Sequence, residues 1–520
     1  MYSKTCLSAF PRRTVPLVLA LVLVLVLAGI SGCSSSGLMG GGGASTSSTA
    51  PVSLSITDNP PNGVAVLDFQ VSLTAASLQS SSGTSVSLLP NGTPVVIDIT
   101  DLQALSAFLA SVNIPAGTYN SLSVTFANPD VVIYNISDKA LGSACAVGTI
   151  CQFAPTASAS FTISSAPFPI TLTGGSPLGL LMDFHLDKIL KSDLTLDLAA
   201  EGGITLKELK HTDIQFGLLN GSVQSVDASQ NQFTLKTRWG NTFTVDTTAS
   251  GTSFVNFPSS ACTTASLSCV QAGQIVGVQV TGVESNGSLD VSEVKYKATP
   301  GQLKVEGLIV GVTPASGSAQ ASIKVLVHDN MSGDDDSQGE QLEGGKATVT
   351  IASNATYSID SGKFTLPAGM TFTGSSSLAV GQEVALTIAT GSAVTSAATS
   401  NGNGWGSPAT STFTATSVEL EPSHITGTIS ALASPDFTLT AGSNFFCWSM
   451  SGTSTQATVE TTSQTDFDNF TTAGFAGLAV NNLVSVDGWL FAPSTSGGTT
   501  TTASPTVVAQ AVALHADGDY

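Results

Sequence analysis

The sequence predicts an all-β protein: an N-terminal β-sandwich with one short helix, followed by three small β-barrel repeats. Three observations support this fold class. Apolar and polar residues alternate in many segments after residue 50, as in "VSLSI" at 52–56, and this period of two is typical of strands. Hydrophobic residues make up 42% of the chain and charged residues 10%, while 51 glycines supply turns. A set of strand-like segments also recurs three times after residue 213.

The first 33 residues predict export and lipid attachment. Lys4, Arg12 and Arg13 precede an apolar stretch at 15–30, and no acidic residue occurs before Cys33, as in a secretory signal. A membrane-spanning helix needs about 20 residues, so a retained span is the weaker interpretation. "ISGC" at 30–33 resembles the lipobox of bacterial lipoproteins, which implies a signal peptide over 1–32 and lipidation, such as palmitate, on Cys33. The alternative is an ordinary signal with a chance cysteine.

The same resemblance implies a bacterial cell envelope location with the membrane as a partner through the lipid anchor. Ser34 rather than Asp after the cysteine implies the outer membrane, on either its periplasmic or its external side. Residues 33–50 are mostly Ser, Gly, Thr and Ala, which predicts a flexible tether. Loss of 1–32 removes three of 16 basic residues and none of 36 acidic ones, leaving 13 and a net charge of −23. This charge argues against nucleic acid as a partner.

Four cysteines predict two local disulfides. Cys145 and Cys151 lie in "CAVGTIC", and Cys262 and Cys269 lie in "CTTASLSC". Each pair closes a short loop in a protein expected to reach an oxidising compartment. The alternative is metal thiolates, but neither pair has C-x-x-C spacing or a nearby histidine. Cys447 is left over, and its apolar neighbours favour a buried thiol.

Residues 51–212 predict the β-sandwich domain. Alternating apolar residues predict half-buried strands around Val52, Leu54 and Ile56, around Leu122, Val124 and Phe126, and around Leu194, Leu196 and Leu198. The segment "TDLQALSAFLA" at 100–110 differs, because Leu102, Leu105, Phe108 and Leu109 have helical spacing. Thr100 and Gln103 form a capping-box pattern at its start. This segment therefore predicts the one short helix.

Four motifs in this region carry a resemblance to a bacterial lipoprotein domain of unknown function. They are "VSLSITDNPP" at 52–61, "VVIDITDL" at 95–102, "IPAGTYNSLSVTF" at 114–126 and "LLMDFHLD" at 180–187. The family has a first strand that ends in Thr-Asp-x-Pro and a Pro-Ala-Gly-x-Tyr turn. The resemblance implies an extracytoplasmic β-sandwich and brings no established activity.

Three related units follow, at 213–300, 301–422 and 423–520. Each opens with an apolar strand containing a glycine, namely Gly221, Gly307 or Gly427, and a glycine there suits a sharp bend or a close strand approach. Each later has a turn before another strand, in "VQAGQIVGVQV", "LAVGQEVALTI" and "LAVNNLVSVDG". Gly273 and Gly381 fit a positive φ in this turn, and Asn481 at the third position also tolerates it.

The repeated pattern predicts about five strands per unit, curled into a small barrel. The units are similar to a second bacterial family of unknown function, whose tandem barrels resemble the oligonucleotide- and oligosaccharide-binding (OB) fold. The match is clearest in the first unit and loosest in the third, where Asn481-Asn482 replaces Gly-Gln. Structural spacers and a ligand-binding groove are both compatible with such repeats, and few tryptophans are available for a stacking platform.

An acidic insertion in the second unit is the candidate metal site. "HDNMSGDDDSQGEQLEGG" at 328–345 begins like an EF-hand loop, but Gly345 stands where a bidentate glutamate is required. A solvated acidic loop is therefore favoured. Weak divalent cation binding, such as calcium, by Asp334, Asp335, Asp336 and Glu340 is the alternative.

No catalytic motif is apparent in the sequence. The five histidines are far apart in sequence, and nucleophile elbows, phosphate loops and dinucleotide fingerprints are lacking. We therefore expect no enzymatic activity, no catalytic residues and no cofactor, and a surface binding, adhesion or structural role with an envelope glycan or another surface protein as partner. One alternative is a glycan-binding module, which predicts exposed aromatic side chains along a barrel face. The other is a hydrolase, which predicts a pocket that brings a histidine or paired carboxylates together.

Overall fold

The computed structural model describes residues 48–514 apart from short gaps. The gaps are 60–64, 90–91, 100–105, 136–139, 142–144, 154–158, 192–194, 210–215, 249–250, 259–261, 263, 300, 331–341, 343, 390–391, 393–404, 407–409, 442–455, 469, 471 and 493–503. Cys33, Cys447 and the candidate metal ligands Asp334, Asp335, Asp336 and Glu340 lie outside the described residues, as do the predicted signal peptide and most of the tether.

The N-terminal part of the chain is a β-sandwich. Its strands are β1 (Thr49–Asn59), β2 (Ala65–Ser80), β3 (Ser85–Ser87), β4 (Val95–Asp98), β5 (Ala107–Pro115), β6 (Gly117–Tyr134), β7 (Ile150–Phe153), β8 (Ala159–Ile163), β9 (Ile170–Leu172), β10 (Leu178–His185) and β11 (Ile204–Leu209). One sheet has the order β11-β10-β1-β5, and the other is built on β2 and β6, the longest pair. The two sheets enclose one core, to which β1 gives Val52 and Leu54 and β6 gives Leu122 and Phe126.

The predicted alternation holds for β6 but is incomplete at β1. Ser123 and Thr125 on β6 are half-buried while their apolar neighbours are buried, as expected for a sheet with one wet face. On β1, Ser53 and Ser55 are buried as well. The outer face of β1 is covered, because Ser55 donates a hydrogen bond to the carbonyl of Phe216. The expected strand at 194–198 is reduced to one bridge between Leu190 and Leu196.

The segment expected to form the short helix is a strand where it is described, at 107–110, while 100–105 lie outside the described residues. Phe108 and Leu109 lie in β5, which pairs antiparallel with β1. They point to opposite sides, because Phe108 packs in the core of the next module and Leu109 in the sandwich core. Cross-strand pairing and burial on both faces therefore outweigh the local helical spacing. The helix that the described residues do contain is α1 (Leu186–Ile189), which directly follows β10.

Three small barrels follow, and we call them barrels 1, 2 and 3. Barrel 1 contains β12 (Gly217–Asp227), β13 (Gln232–Lys236), β14 (Thr242–Asp246), β15 (Ser253–Val255), β16 (Ile275–Val283) and β17 (Leu289–Ala298). Barrel 2 contains β18 (Lys304–Thr313), β19 (Ser322–Asn330), β20 (Lys346–Ile359), β21 (Glu383–Ile388) and β23 (Thr410–Glu421), while β22 (Trp405–Gly406) pairs with β7 of the sandwich. Barrel 3 contains β24 (Ser423–Ala433), β25 (Asp436–Ala441), β26 (Gln456–Glu460), β27 (Asp466–Asp468), β28 (Leu483–Phe491) and β29 (Thr506–Leu514).

The three barrels share one strand order, which confirms the predicted barrel repeats. In barrel 2 the closed order is β18-β19-β20-β23-β21. The same ring is formed by β12-β13-β14-β17-β16 in barrel 1 and by β24-β25-β26-β29-β28 in barrel 3. In each ring the third strand along the chain (β14, β20 or β26) pairs in parallel with the fifth strand along the chain (β17, β23 or β29). The other pairings are antiparallel. A five-stranded barrel of this kind agrees with the expected OB-like architecture.

The turn that precedes β16, β21 and β28, the fourth ring strands along the chain, is the same in all three barrels. Gly273, Gly381 and Asn481 have φ values of 87°, 97° and 73°, which confirms the positive φ expected at these positions. Their amides donate to equivalent carbonyls on the opening strands of the three rings. The next residue, Gln274, Gln382 or Asn482, accepts a hydrogen bond from a backbone amide three residues earlier at 2.7 Å. The third unit thus keeps the turn although its sequence differs.

The modules share parts of their sheets and cores. Ala107 of β5 pairs with Leu218 of β12, so the first sandwich sheet continues into barrel 1. Trp489 of barrel 3 packs in the core of barrel 2, and Leu308 of barrel 2 packs in the core of barrel 3. Within the described residues, none of the helices has the length and apolar character needed to cross a bilayer.

Candidate ligand-binding cavity

A cavity of about 430 Å³ lies where the sandwich and the three barrels meet. All four modules contribute to its wall, for example through Phe108 of β5, Lys295 of β17, Glu306 of β18 and Asp487 of β28. This volume falls within the range of small-molecule sites, and such sites often form between modules. The cavity is therefore the candidate functional site.

Strand alternation on β17 supplies one charged wall. Val294 is fully buried in the core of barrel 1, so its neighbours on the strand point the other way. Glu293, Lys295 and Lys297 follow each other at a spacing of two and all line the cavity. The outer face of barrel 1 thus presents two ammonium groups and a carboxylate to barrel 2.

Barrel 2 meets these lysines with three acidic side chains, and we call the resulting set the ion cluster: Lys295, Lys297, Glu306, Asp360 and Glu421. Lys295 contacts Asp360 directly, and Lys297 lies 2.9 Å from Glu306. Glu421 lies 3.7 Å from Lys295 and 4.0 Å from Lys297. Asp360 is 1% exposed, so this cluster joins the two barrels through charges that have left water.

Burial and repulsion give the two carboxyls of the ion cluster different protonation. Burial, followed by repulsion from Asp360, raises the pKa of Glu421 well above its ordinary range. Burial acts on Asp360 too, but Lys295 and Lys297 outweigh it and lower the pKa of that carboxyl. Asp360 also accepts a hydrogen bond from the Glu421 carboxyl. The arrangement therefore corresponds to a neutral Glu421 and an ionised Asp360.

The lysines keep their charge despite burial. Burial disfavours the ammonium form of Lys297, but the attraction of its acidic neighbours, Glu306 and Asp360 among them, is larger in sum and raises its pKa well above the ordinary value. The same balance raises the pKa of Lys295. With Glu421 neutral, the ion cluster holds two cations and two anions and is electrically balanced.

A histidine and a carboxylate from barrel 3 also belong to the charged part of the cavity wall. His424 is the second residue of β24, and it pairs with Asp487 of β28 in the antiparallel register. The Nδ1 atom of His424 lies 3.4 Å from Oδ1 of Asp487, which is 1% exposed. Both residues line the cavity, and His424 lies three positions after Glu421, where barrel 2 leads into barrel 3.

Apolar side chains also line the cavity. They include Val96, Ile97 and Phe108 of the sandwich and Leu218 of barrel 1. Trp239 lines the cavity too, and its indole N–H has no hydrogen-bond partner among the described residues. Its neighbour Arg238 lies over the Trp239 ring at 5.2 Å and pairs with Asp329 at 3.0 Å. The cavity wall therefore combines apolar and charged side chains.

The predicted disulfide partners are close together in space. Cys145 and Cys151 have Cα atoms 5.7 Å apart, and Cys262 and Cys269 have Cα atoms 4.9 Å apart, both within disulfide reach. Neither pair lines the cavity. Where the structure describes side chains, no group of three or more His, Cys, Asp or Glu is arranged to hold a metal ion.

The charged wall was not identified from the sequence. His328 and His424, far apart in the chain, both line the cavity, whereas His185 lies near Thr205 in the sandwich. The available signal was "SEVKYK" at 292–297, where alternate positions carry charges on a strand that closes a barrel. An exposed face would explain those charges equally well, so the pattern alone does not reveal a junction.

The described aromatic side chains do not form an exposed row. All of them are buried or half-buried. The nearest arrangement to a platform is Phe254, Phe257 and Tyr296 of barrel 1, with successive ring centroids 6.4 Å and 5.7 Å apart and tilted planes. Phe254 and Phe257 pack against the barrel core.

A family model matches the sandwich part of the chain. No curated protein matches the chain. Residues 49–208 match a family described as Domain of unknown function (DUF4382), and the strands β1 to β11 fall within or at the edge of this range. The chain therefore carries a DUF4382 domain as its N-terminal β-sandwich, and the three barrels follow it.

Proposed function

We propose that this chain is an exported, lipid-anchored protein of the bacterial cell envelope whose role is binding rather than catalysis, and that it holds its ligand in the cavity between the modules. The observation that carries the proposal is that all four modules line one cavity of small-molecule size. The lipobox resemblance at Cys33 and the tether at 33–50 support the anchored location.

The shared cores favour binding over a role as separate spacers. Independent spacers would bury their apolar faces within themselves, whereas here Trp489 and Leu308 are exchanged between the cores of barrels 2 and 3. Such packing fixes the cavity wall before a ligand arrives, and preorganisation reduces the entropy cost of binding. Adhesion to a surface glycan or to another envelope protein is compatible with the same scaffold.

A cavity-filling variant tests the binding role. The purified full chain is screened against small molecules, glycans and divalent ions. We expect Leu218→Trp to lower the affinity for any ligand that the screen finds. Leu218 lines the cavity and is 40% exposed, so a larger side chain can be accommodated there without a buried clash. Leu432→Trp is the matched control, because Leu432 is 39% exposed and lies outside the cavity. A screen without a hit, or a hit that Leu218→Trp leaves unchanged, would overturn the proposal.

The anchor is tested separately. We expect the wild-type chain to fractionate with membranes and Cys33→Ser to be released, since several acyl chains provide stable attachment whereas a polar tether provides none. Mass spectrometry of the mature N-terminus would show the acyl chains on Cys33. A Cys33→Ser chain that stays in the membrane fraction contradicts the anchored location.

A hydrolase is the second candidate, because the cavity brings His424 beside Asp487 and places Glu421 near Asp360. Paired carboxylates and a histidine–carboxylate pair are both used in hydrolysis. Against this candidate, Asp360 is held by Lys295 and Asn256 and does not line the cavity. Turnover of a glycoside or ester panel that is lost in Asp487→Asn but kept in Leu432→Trp would favour the hydrolase.

A further inference from the structure

The basic side chains of the cavity already have partners. Lys295 and Lys297 are neutralised within the ion cluster, Arg238 is paired with Asp329, and Lys363 donates to the carbonyl of Ser292 at 2.8 Å. An anionic ligand would have to break one of these contacts. Each described lysine or arginine of the wall is therefore already engaged by another group of the protein.

Glu421, in contrast, has an acceptor to spare. The residue is 7% exposed, and its Oε1 atom is buried without a hydrogen-bond partner in the described structure. A buried carboxyl oxygen without a donor loses the free energy of a hydrogen bond, so a ligand that supplies a donor gains it back. Glu421 lines the cavity, and a rotation of its carboxyl group would bring the buried Oε1 atom to a ligand there.

The charge around the cavity favours a cation as that donor. Beside the neutral Glu421, five acidic side chains line the wall, from Glu293, Glu306, Asp329, Glu383 and Asp487, against four lysine or arginine side chains. The chain as a whole is also strongly acidic, with a net charge of −20, which attracts cations from solution. Part of the wall is apolar, with Phe108, Leu218 and Trp239, so an organic cation with a hydrocarbon body suits the cavity.

We propose that the cavity binds an amphipathic organic cation, with its ammonium group on Glu421 and its apolar body against Phe108, Leu218 and Trp239. This inference rests on the proposed binding function and names the class of ligand. The ammonium group donates to Oε1 of Glu421, and it balances the charge that appears when Glu421 loses its proton. Contact with these three apolar side chains then removes the hydrocarbon part of the ligand from water.

The same geometry links ligand binding to pH. The charged groups that face Glu421 are Asp360, Lys295, Lys297 and Glu306 within the ion cluster, with Glu383 opposite it in the strand register and His424 and Asp487 beyond. Since burial and Asp360 raise the pKa of Glu421, the empty cavity holds a protonated carboxyl at low pH. A cation competes with that proton, so its affinity increases as the pH rises.

Three probes that differ only in charge test the inference on the purified full chain. They are 4-phenylbutylamine, 4-phenylbutanol and 4-phenylbutyrate, measured by titration calorimetry from pH 5 to pH 8. We expect the amine to bind about tenfold more tightly than the alcohol and the carboxylate to bind least, because only the amine makes a charge-assisted hydrogen bond. We also expect proton release with the amine alone, seen as a dependence of the heat on buffer ionisation enthalpy.

Glu421→Gln is the matched variant. It keeps the shape of the side chain and its neutral state, and it should remove the preference for the amine and the proton release while leaving the affinity for the alcohol unchanged. Equal affinity of wild-type protein for the amine and the alcohol overturns the cation inference but leaves a binding cavity. If none of the three probes binds, the inference fails, and the screen with Leu218→Trp decides separately whether the cavity binds another class of ligand.

Discussion

Asp360 and Glu421 have different roles although both are buried acids in one cluster. Asp360 carries the charge that neutralises Lys295, whereas Glu421 is held neutral by burial and by Asp360. Asp360→Asn removes a buried anion and leaves an uncompensated lysine, so we expect a loss of about 3–5 kcal/mol in the free energy of unfolding. Glu421→Gln replaces one neutral group by another, so we expect less than about 1 kcal/mol. Urea unfolding at about pH 4.5, where folded Glu421 is protonated and Asp360 is ionised, checks both values, and equal losses would contradict the assignment.

The pH dependence of stability follows from the direction of the Glu421 shift. Its pKa is higher in the folded protein than its ordinary value of 4.5, so its stabilising contribution is complete below pH 4.5 and is lost as the pH rises through the folded pKa. Asp360 acts in the opposite direction, because its lowered pKa stabilises the protein above 3.8 and this contribution is lost as the pH falls.

We therefore expect wild-type stability to decline above pH 4.5 by up to about 1.4 kcal/mol per pH unit from Glu421. Glu421→Gln should reduce this decline, and urea midpoints measured from pH 4 to pH 9 would show it. Glu208→Gln on β11 is the control, since Glu208 is exposed and far in the chain from the ion cluster. A Glu421→Gln curve parallel to that of the wild type would mean that Glu421 does not titrate in this range.

Single residues with local causes were predictable from the sequence, and those with long-range causes were not. The positive φ of Gly273, Gly381 and Asn481 depends on a turn of four residues, which the sequence contains in full. The partner of Lys295, in contrast, is Asp360, which lies 65 positions further along the chain and in another barrel. Only the packing of the two barrels determines that contact.

At the level of strands, β18 offers a pair of glycines with opposite environments. A Cβ added to Gly307 would press against the backbone carbonyl of Leu326, whereas one added to Gly311 would meet only the side chain of Lys324 at 3.4 Å or more. We expect Gly307→Ala to destabilise the protein by about 1–3 kcal/mol, because a strand backbone cannot give way as a flexible side chain does.

Gly311→Ala is the internal control for that change. It should be neutral or stabilising by about 0.5–1 kcal/mol, since alanine loses less backbone entropy than glycine on folding. Thermal unfolding followed by circular dichroism compares the two variants. Similar behaviour of both would contradict the close approach of β18 and β19 at Gly307.

The repeated strands were predictable from the sequence, but the strand at 107–110 was not, and the two outcomes have related reasons. Each barrel strand appears three times with the same turn, so one weak signal supports another. The segment at 107–110 occurs once, and its spacing was ambiguous because Phe108 and Leu109 are both buried, on opposite sides of β5. A strand covered on both faces lacks the period of two, which leaves sequence periodicity unable to distinguish it from a helix.

At the scale of the whole molecule, the modules are tied together through their cores. Leu67 and Tyr134 of the sandwich share a core with Ile429 of barrel 3, and Leu308 of barrel 2 joins them. The sequence indicated separate units along the chain because each unit has its own turns and strands. It could not indicate this sharing, which depends on side chains that leave one barrel and enter the next.

Trp489 is the residue through which this sharing is best tested. It belongs to β28 of barrel 3, but it packs in the core of barrel 2 against Phe364, with ring centroids 5.0 Å apart, and its indole N–H donates to the carbonyl of Asp360 at 3.0 Å. We expect Trp489→Ala to cost about 3–5 kcal/mol, because it leaves a cavity and an unpaired carbonyl between two barrels. The loss should appear as faster hydrogen exchange in β20 of barrel 2 as well as in β28.

Phe233→Ala in the core of barrel 1 is the control, since Phe233 is equally buried but packs within its own module. It should destabilise the chain without speeding exchange in β20 more than in the rest of barrel 2. If Trp489→Ala affects only barrel 3, the two barrels unfold independently and the cavity between them is not a fixed site.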